Sequence, residues 1–215
     1  MAKRGYIFDM DGTLVDNVRY HVQSWKAFSR KYGNELSEEK IVGWMGMTNR
    51  VYQERILGRP VTEDESRRLS EEKELLYRGL FAPHMRLPDG LRAFLDRARS
   101  AGIALAVATG APRSNVDFIM DSLSLRGDFD ALVDETKYAK CKPDPECFLT
   151  AARLLGCEPC DCVVFEDAIP GVAAAKAAGM KVVCVTFTKG REELLLAGAD
   201  IVIDSYLELE GKKLP

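Results

Sequence analysis

The stretch "YIFDMDGTLVD", residues 6–16, decides how this chain is read. An apolar run ends in two aspartates separated by one residue, then Gly12 and Thr13. Side chains alternate along a strand, so Asp9 and Asp11 leave on the same side, about 7 Å apart. Two carboxylates that close repel each other, and burial strengthens the repulsion. A cation, a shared proton or open water must offset it. An Asp-Gly turn alone does not need two aspartates after an apolar run. The strand end therefore reads as a site that binds a cation or handles an anion.

Length and composition narrow the class. The chain has 215 residues, of which 47% are hydrophobic, enough for one large core or a core with an insertion. Thirty basic and 33 acidic residues give a net charge of −3, which carries no nucleic-acid footprint. No apolar run is long enough to span a bilayer, and the start "MAKRGYIF" is too short in apolar residues for a signal peptide. The expectation is a cytoplasmic monomer. Cys157, Cys160 and Cys162 have a zinc-like spacing, but a tetrahedral site needs a fourth ligand. His21 and His84 are the only histidines, and both are distant in sequence. The cysteines are expected to be reduced thiols.

Short β-branched runs recur at "GYIFDMD", "IALAVATG", "ALVDE", "CVVFED", "KVVCVT" and "ADIVID". They are nearly continuous rather than alternating, the pattern of strands buried on both faces. Helical segments at 91–101, 115–125, 145–155 and 170–178 separate most of them, with Asp144 as N-cap of the third and Gly156 and Gly179 as stops. The fold class is α/β, a three-layer, Rossmann-like parallel sheet. Residues 16–87 break the alternation. They read as about four helices, one opened by a Thr62–Glu65 capping box, with "VGWMGMT" as a glycine-punctuated loop. The expected domains are an α/β core of residues 1–15 and 88–215 and an inserted all-helical cap of residues 16–87. Such an insertion would lie over the strand ends, where open α/β sheets bind ligands.

The residues closing the strands collect chemistry. The first strand ends in Asp9 and Asp11, the second in Thr109-Gly110, the fourth in Glu166-Asp167, and Lys142 precedes the fourth in "KCKPDPE". Parallel strand ends share one edge, so these groups can meet. Phosphoryl transfer needs such a set. Carboxylates hold Mg2+, a hard cation with oxygen ligands, which would cancel the Asp9–Asp11 repulsion and neutralise phosphate. One carboxylate is left to attack phosphorus, while a lysine and a hydroxyl hold the equatorial oxygens.

The ordered motifs "DMDGT", "VATG", "KPDP" and "FEDA" resemble the four motifs of the haloacid dehalogenase (HAD) superfamily of phosphotransferases. The helical insertion resembles the type 1 cap of the β-phosphoglucomutase-like phosphatases. The resemblance implies Asp9 as a nucleophile forming an aspartyl-phosphate, and Asp11 as general acid and base with its backbone carbonyl on Mg2+. It implies that Thr109 and Lys142 bind the phosphoryl group, and that Asp167, directly or with Glu166, holds the metal. Gly110 and Ala111, which follow the second motif, fall in the expected substrate-binding set.

Two activities fit that resemblance. A mutase acting on a sugar bisphosphate needs cations for the distal phosphate. "YHVQSW" is similar to the mutase cap stretch, with His21 and Trp25 at matching places. Met45, before Gly46 in the cap loop, replaces the mutase lysine, and Ala111, Pro112 and Arg113 replace its serine and lysine. Thr13 is the residue usual in the hydrolases. Arg50 and Arg113 are the cations that could stand in. The expectation is a phosphatase acting on a small phosphorylated metabolite, with the mutase as alternative. A phospho-aspartate signalling domain would lack the helical insertion, and a silent binding protein would not need the full charged set.

Overall fold

The computed structural model describes residues 2–44, 48–212 and 214. The chain divides into two compact units, one of residues 1–16 and 86–215, the other of residues 17–85.

The first unit is a parallel sheet of six strands among the described residues, in the order β3-β2-β1-β4-β5-β6. These are β1 (Gly5–Phe8), β2 (Ala104–Ala108), β3 (Ala131–Val133), β4 (Cys162–Glu166), β5 (Lys181–Val185) and β6 (Ile201–Ile203). All six apolar runs of the sequence form strands. Every residue of β1, β2 and β4 is buried, which is why these runs show no polar alternation. The sheet's two faces differ in filling. Tyr6, Phe8 and Phe165 share one face with Phe94 and Tyr206, and the Phe8 and Phe165 rings stack at 4.3 Å. Ile7, Ala106 and Val164 share the other face with Phe148, Ala151 and Leu155.

Phe8 is paired with Val107 on one side and Phe165 on the other. Asp9 thus leaves β1 level with Ala108 and Glu166. Strand order runs one way from β1 through β2 and the opposite way from β4 onward. The β1–β4 boundary is therefore the topological switch point, where an open α/β sheet offers a crevice.

The helices of the second unit are α1 (Val18–Lys31), α2 (Glu38–Val42), α3 (Asn49–Leu57) and α4 (Glu63–Phe81). Those of the first are α5 (Leu91–Ser100), α6 (Arg113–Ser122), α7 (Glu146–Leu155), α8 (Ile169–Ala177) and α9 (Arg191–Leu196). Two expected helix starts differ in detail. Helix α7 begins at Glu146, with the Asp144 side chain accepting from the Glu146 N–H at 3.1 Å. At α4, Thr62 accepts from the Glu65 N–H, but the Glu65 carboxylate pairs with Arg59 instead of closing a capping box.

The six cysteines are free thiols. Cys157 and Cys162 are buried, while Cys160 is exposed, so the three do not converge as a zinc site would require. No helix among the described residues is long and apolar enough to cross a membrane.

Candidate active site

Lys142 is the centre of the strand-end cluster. Its Nζ donates to Asp9 Oδ1 at 2.6 Å and to Glu166 Oε1 at 2.7 Å, and lies 3.4 Å from the Ala108 carbonyl. The Phe148 ring sits 4.6 Å beneath it. Burial opposes its charge, but Asp9 and Glu166 outweigh burial and hold the ammonium pKa well above its usual value. Four of the expected residues, Asp9, Lys142, Glu166 and Asp167, therefore meet at the switch point.

Asp9 is buried, and its backbone N–H continues the ladder to Phe165 at 2.9 Å. Burial first, then Glu166 and Asp11, push its carboxyl up to about 7, against the opposing pull of Lys142. Asp11 is half-buried in a tight turn where the N–H groups of Thr13, Leu14 and Val15 all return to the Met10 carbonyl. Asp167 is pushed well above the carboxylate range by burial, then by Glu166 and Asp9.

Two glycines make this crowding possible. Gly12 has φ +79°, and a Cβ there would lie 2.1 Å from Asp167 Oδ2. A Cβ on Gly171 in α8 would lie 1.8 Å from Glu166 Oε1. Both positions bring backbone against a carboxylate where no larger residue fits. Thr13 and Thr188 then donate hydroxyl hydrogen bonds to the two Asp167 oxygens.

The donor set bears on a metal. Among the described residues, no three His, Cys, Asp or Glu side chains form a group that could hold a metal alone. Mg2+ does not require one, because it keeps waters and takes one or two carboxylates plus substrate oxygens. Asp9 and Asp167 fit: both are buried carboxylates whose charge is disfavoured first by burial and then by Glu166. Glu166 makes contacts of another kind. Its Oε1 accepts from Lys142, and its Oε2 accepts from the N–H groups of Asp167 and Ala168, which anchor the carboxylate beside the lysine.

Thr109 is buried, and its Oγ1 accepts from the Ala111 N–H at 3.1 Å, fixing the turn after β2. Gly110 is exposed at that turn, and Ala111 is buried. Arg113 is not an open cation. Its Nε donates to Asp117 at 2.9 Å, and its Nη1 lies 3.5 Å from the buried Asp134 carboxylate.

In the helical unit, Arg50 donates to Glu54 at 3.1 Å and to the Val61 carbonyl at 2.8 Å. His21 stacks on Tyr77 at 3.8 Å, and its Nδ1 is 2.8 Å from the Lys73 Nζ. Trp25 is placed away from solvent. It is 4% exposed and stacks on Tyr52 at 4.4 Å, packed with Phe28 and Ile41 in this unit's own core. Its apolar position on α1 explains the placement. Gly46 lies outside the described residues.

Sequence reasoning missed Thr188, Gly171 and Tyr138. Thr188 and Tyr138 are single polar residues in loops, without a spacing that marks them. Gly171 could have been found, since a glycine in the first turn of an expected helix has a propensity cost and therefore a reason.

A family model described as haloacid dehalogenase-like hydrolase matches residues 3–179. A β-phosphoglucomutase of Bacillus subtilis (strain 168) is 33% identical over 214 residues, 96% of this chain and 91% of its own length. A fructose-1-phosphate phosphatase of Escherichia coli (strain K12) is 31% identical over 184 residues, 84% of this chain and 95% of its own. Among solved structures, a family IA, variant 3 HAD hydrolase from Entamoeba histolytica is similar, with a TM-score of 0.90 at 29% identity. That match covers 95% of this chain and 94% of the other.

Proposed function

The chain belongs to the haloacid dehalogenase-like hydrolases, in their β-phosphoglucomutase-like branch, and we propose that it is a Mg2+-dependent phosphatase of small sugar phosphates. It is an enzyme of the phosphoric monoester hydrolase type. The observation that carries the proposal is the Lys142 ammonium held between Asp9 and Glu166 at the switch point.

In this reading an Asp9 oxygen attacks phosphorus, the ester P–O bond breaks, and the leaving oxygen takes a proton from Asp11. Water then attacks the aspartyl-phosphate. Its proton passes to Asp11, inorganic phosphate leaves, and the Asp9 carboxylate is restored. Lys142 and the Thr109 hydroxyl hold the equatorial oxygens as charge spreads over them. Glu166 keeps Lys142 aimed. Asp9 and Asp167, with the Asp11 backbone carbonyl, would hold Mg2+, which would neutralise phosphate charge and the repulsion among these carboxylates.

The mutase reading needs open cations for a second phosphate. Arg50 and Arg113 are the two that the sequence offers, and both are already bound to carboxylates. That favours a monophosphate substrate and hydrolysis. The test is Mg2+-dependent phosphate release from an aryl phosphate and a panel of sugar phosphates. The panel includes β-glucose 1-phosphate with its bisphosphate activator. Release from several monoesters supports the proposal. Glucose 6-phosphate formed faster than phosphate would favour the mutase, and no turnover of any ester would sink both.

A further inference from the structure

We propose, resting on the phosphatase reading, that Tyr138 is a positioning residue. Its hydroxyl fixes the Thr109–Gly110 peptide so that the Gly110 N–H is presented to a phosphoryl oxygen.

Three hydrogen bonds set the direction. The Thr109 N–H donates to the Val133 carbonyl at 2.9 Å, on the β3 side of β2. Strand β3 ends at Val133, and the next donor from its side, the Glu135 N–H, goes to the Ala111 carbonyl at 3.3 Å and leaves the Thr109 carbonyl to another partner. The Tyr138 hydroxyl takes over and donates to the Thr109 carbonyl at 3.1 Å. In extended backbone the N–H and C=O of one residue point to one side and those of the next residue to the other. The Ala108 carbonyl accordingly points the opposite way, 3.4 Å from Lys142 Nζ.

A trans peptide is planar, with its N–H antiparallel to its C=O. The Gly110 N–H therefore points away from Tyr138 and toward the Lys142 and Asp9 side. Among the described residues it has no hydrogen-bond acceptor, and Gly110 is exposed. The Ala111 N–H to Thr109 Oγ1 bond and the Glu135 N–H to Ala111 carbonyl bond hold the turn on either side of this peptide, and the Tyr138 bond is the one made to the Thr109–Gly110 peptide itself. The tyrosine ring packs against the aliphatic face of the core, so the hydroxyl is rigidly placed. Burial raises the phenol pKa, which preserves the proton it donates.

Tyr138→Phe tests this, because it keeps the ring and removes only the hydroxyl. Loss of one such donor in an oxyanion site lowers turnover about 100–1,000-fold, and misaiming it should cost less, about tenfold. We expect kcat for an aryl phosphate to fall about tenfold with KM within about twofold and an unchanged melting midpoint. We also expect the Gly110 amide resonance to respond less to added inorganic phosphate than in the unsubstituted protein. Unchanged kcat and an unchanged Gly110 response would overturn the proposal. So would a loss of activity that only tracks a fall in melting midpoint, with Tyr138→Ala as the comparison for lost packing. If no ester is hydrolysed, the phosphatase reading fails, while the Gly110 response to phosphate still decides the role of Tyr138.

Discussion

Glu166 can act on the metal or on Lys142, and one substitution separates the two roles. Both of its oxygens are engaged, one by the ammonium and one by two backbone N–H groups. Glu166→Gln keeps the shape but weakens the charge-assisted bond to Lys142. The expected outcome is a fall in kcat of about tenfold, in line with a loss of charge-assisted bonding of about 1.4 kcal/mol in the transition state. The Mg2+ concentration for half-maximal activity should stay within about twofold of wild type. A large shift in that concentration would return Glu166 to the ligand set. Gly171 belongs to the same unit of design, since only a residue without Cβ leaves room for the Glu166 carboxylate.

At the scale of elements, the sequence was most legible where burial is complete. The six short apolar runs became six parallel strands because strands covered on both faces carry no polar alternation. Helix ends shifted by one to three residues, in part because caps such as Asp144 act from outside the first turn. The cluster was legible in Asp9, Lys142, Glu166 and Asp167, which each close, follow or precede a strand. Thr188 and Tyr138 were not, since their contacts cross from loops remote in sequence. Trp25 was ambiguous in the sequence because an aromatic on a helix gives the same spacing whether it faces a ligand or a core. Its stacking on Tyr52 places it in the core of the helical unit. Trp25→Ala is therefore expected to destabilise the helical unit by about 3–5 kcal/mol, read by denaturant melts of the intact chain. A variant of near-native stability with altered preference among phosphate esters would reverse that assignment.

For the whole molecule, the strand-end site of the first unit gathers three buried carboxylates, Asp9, Glu166 and Asp167, beside the one ammonium of Lys142. Such an excess of negative charge favours a bound divalent cation and costs stability without one. Mg2+ at about 100 times its dissociation constant should stabilise the fold by about 2.7 kcal/mol. For a chain of this size that is a rise in melting midpoint of about 5–10 °C, reversed by chelation. No change on adding Mg2+ would contradict the assignment of Asp9 and Asp167 as its ligands.

The central claim is that Asp9 carries the phosphoryl group, and an acid-quenched turnover mixture tests it most directly. Peptides from the quenched protein are examined by mass spectrometry, after an aryl phosphate and Mg2+ have been mixed with enzyme for less than one turnover. The account expects one phosphoryl group on the peptide containing Asp9, sensitive to hydroxylamine as an acyl phosphate is, and absent from the Asp9→Asn variant. A phosphoryl group on any other residue would contradict it, as would phosphate released at the wild-type rate by Asp9→Asn.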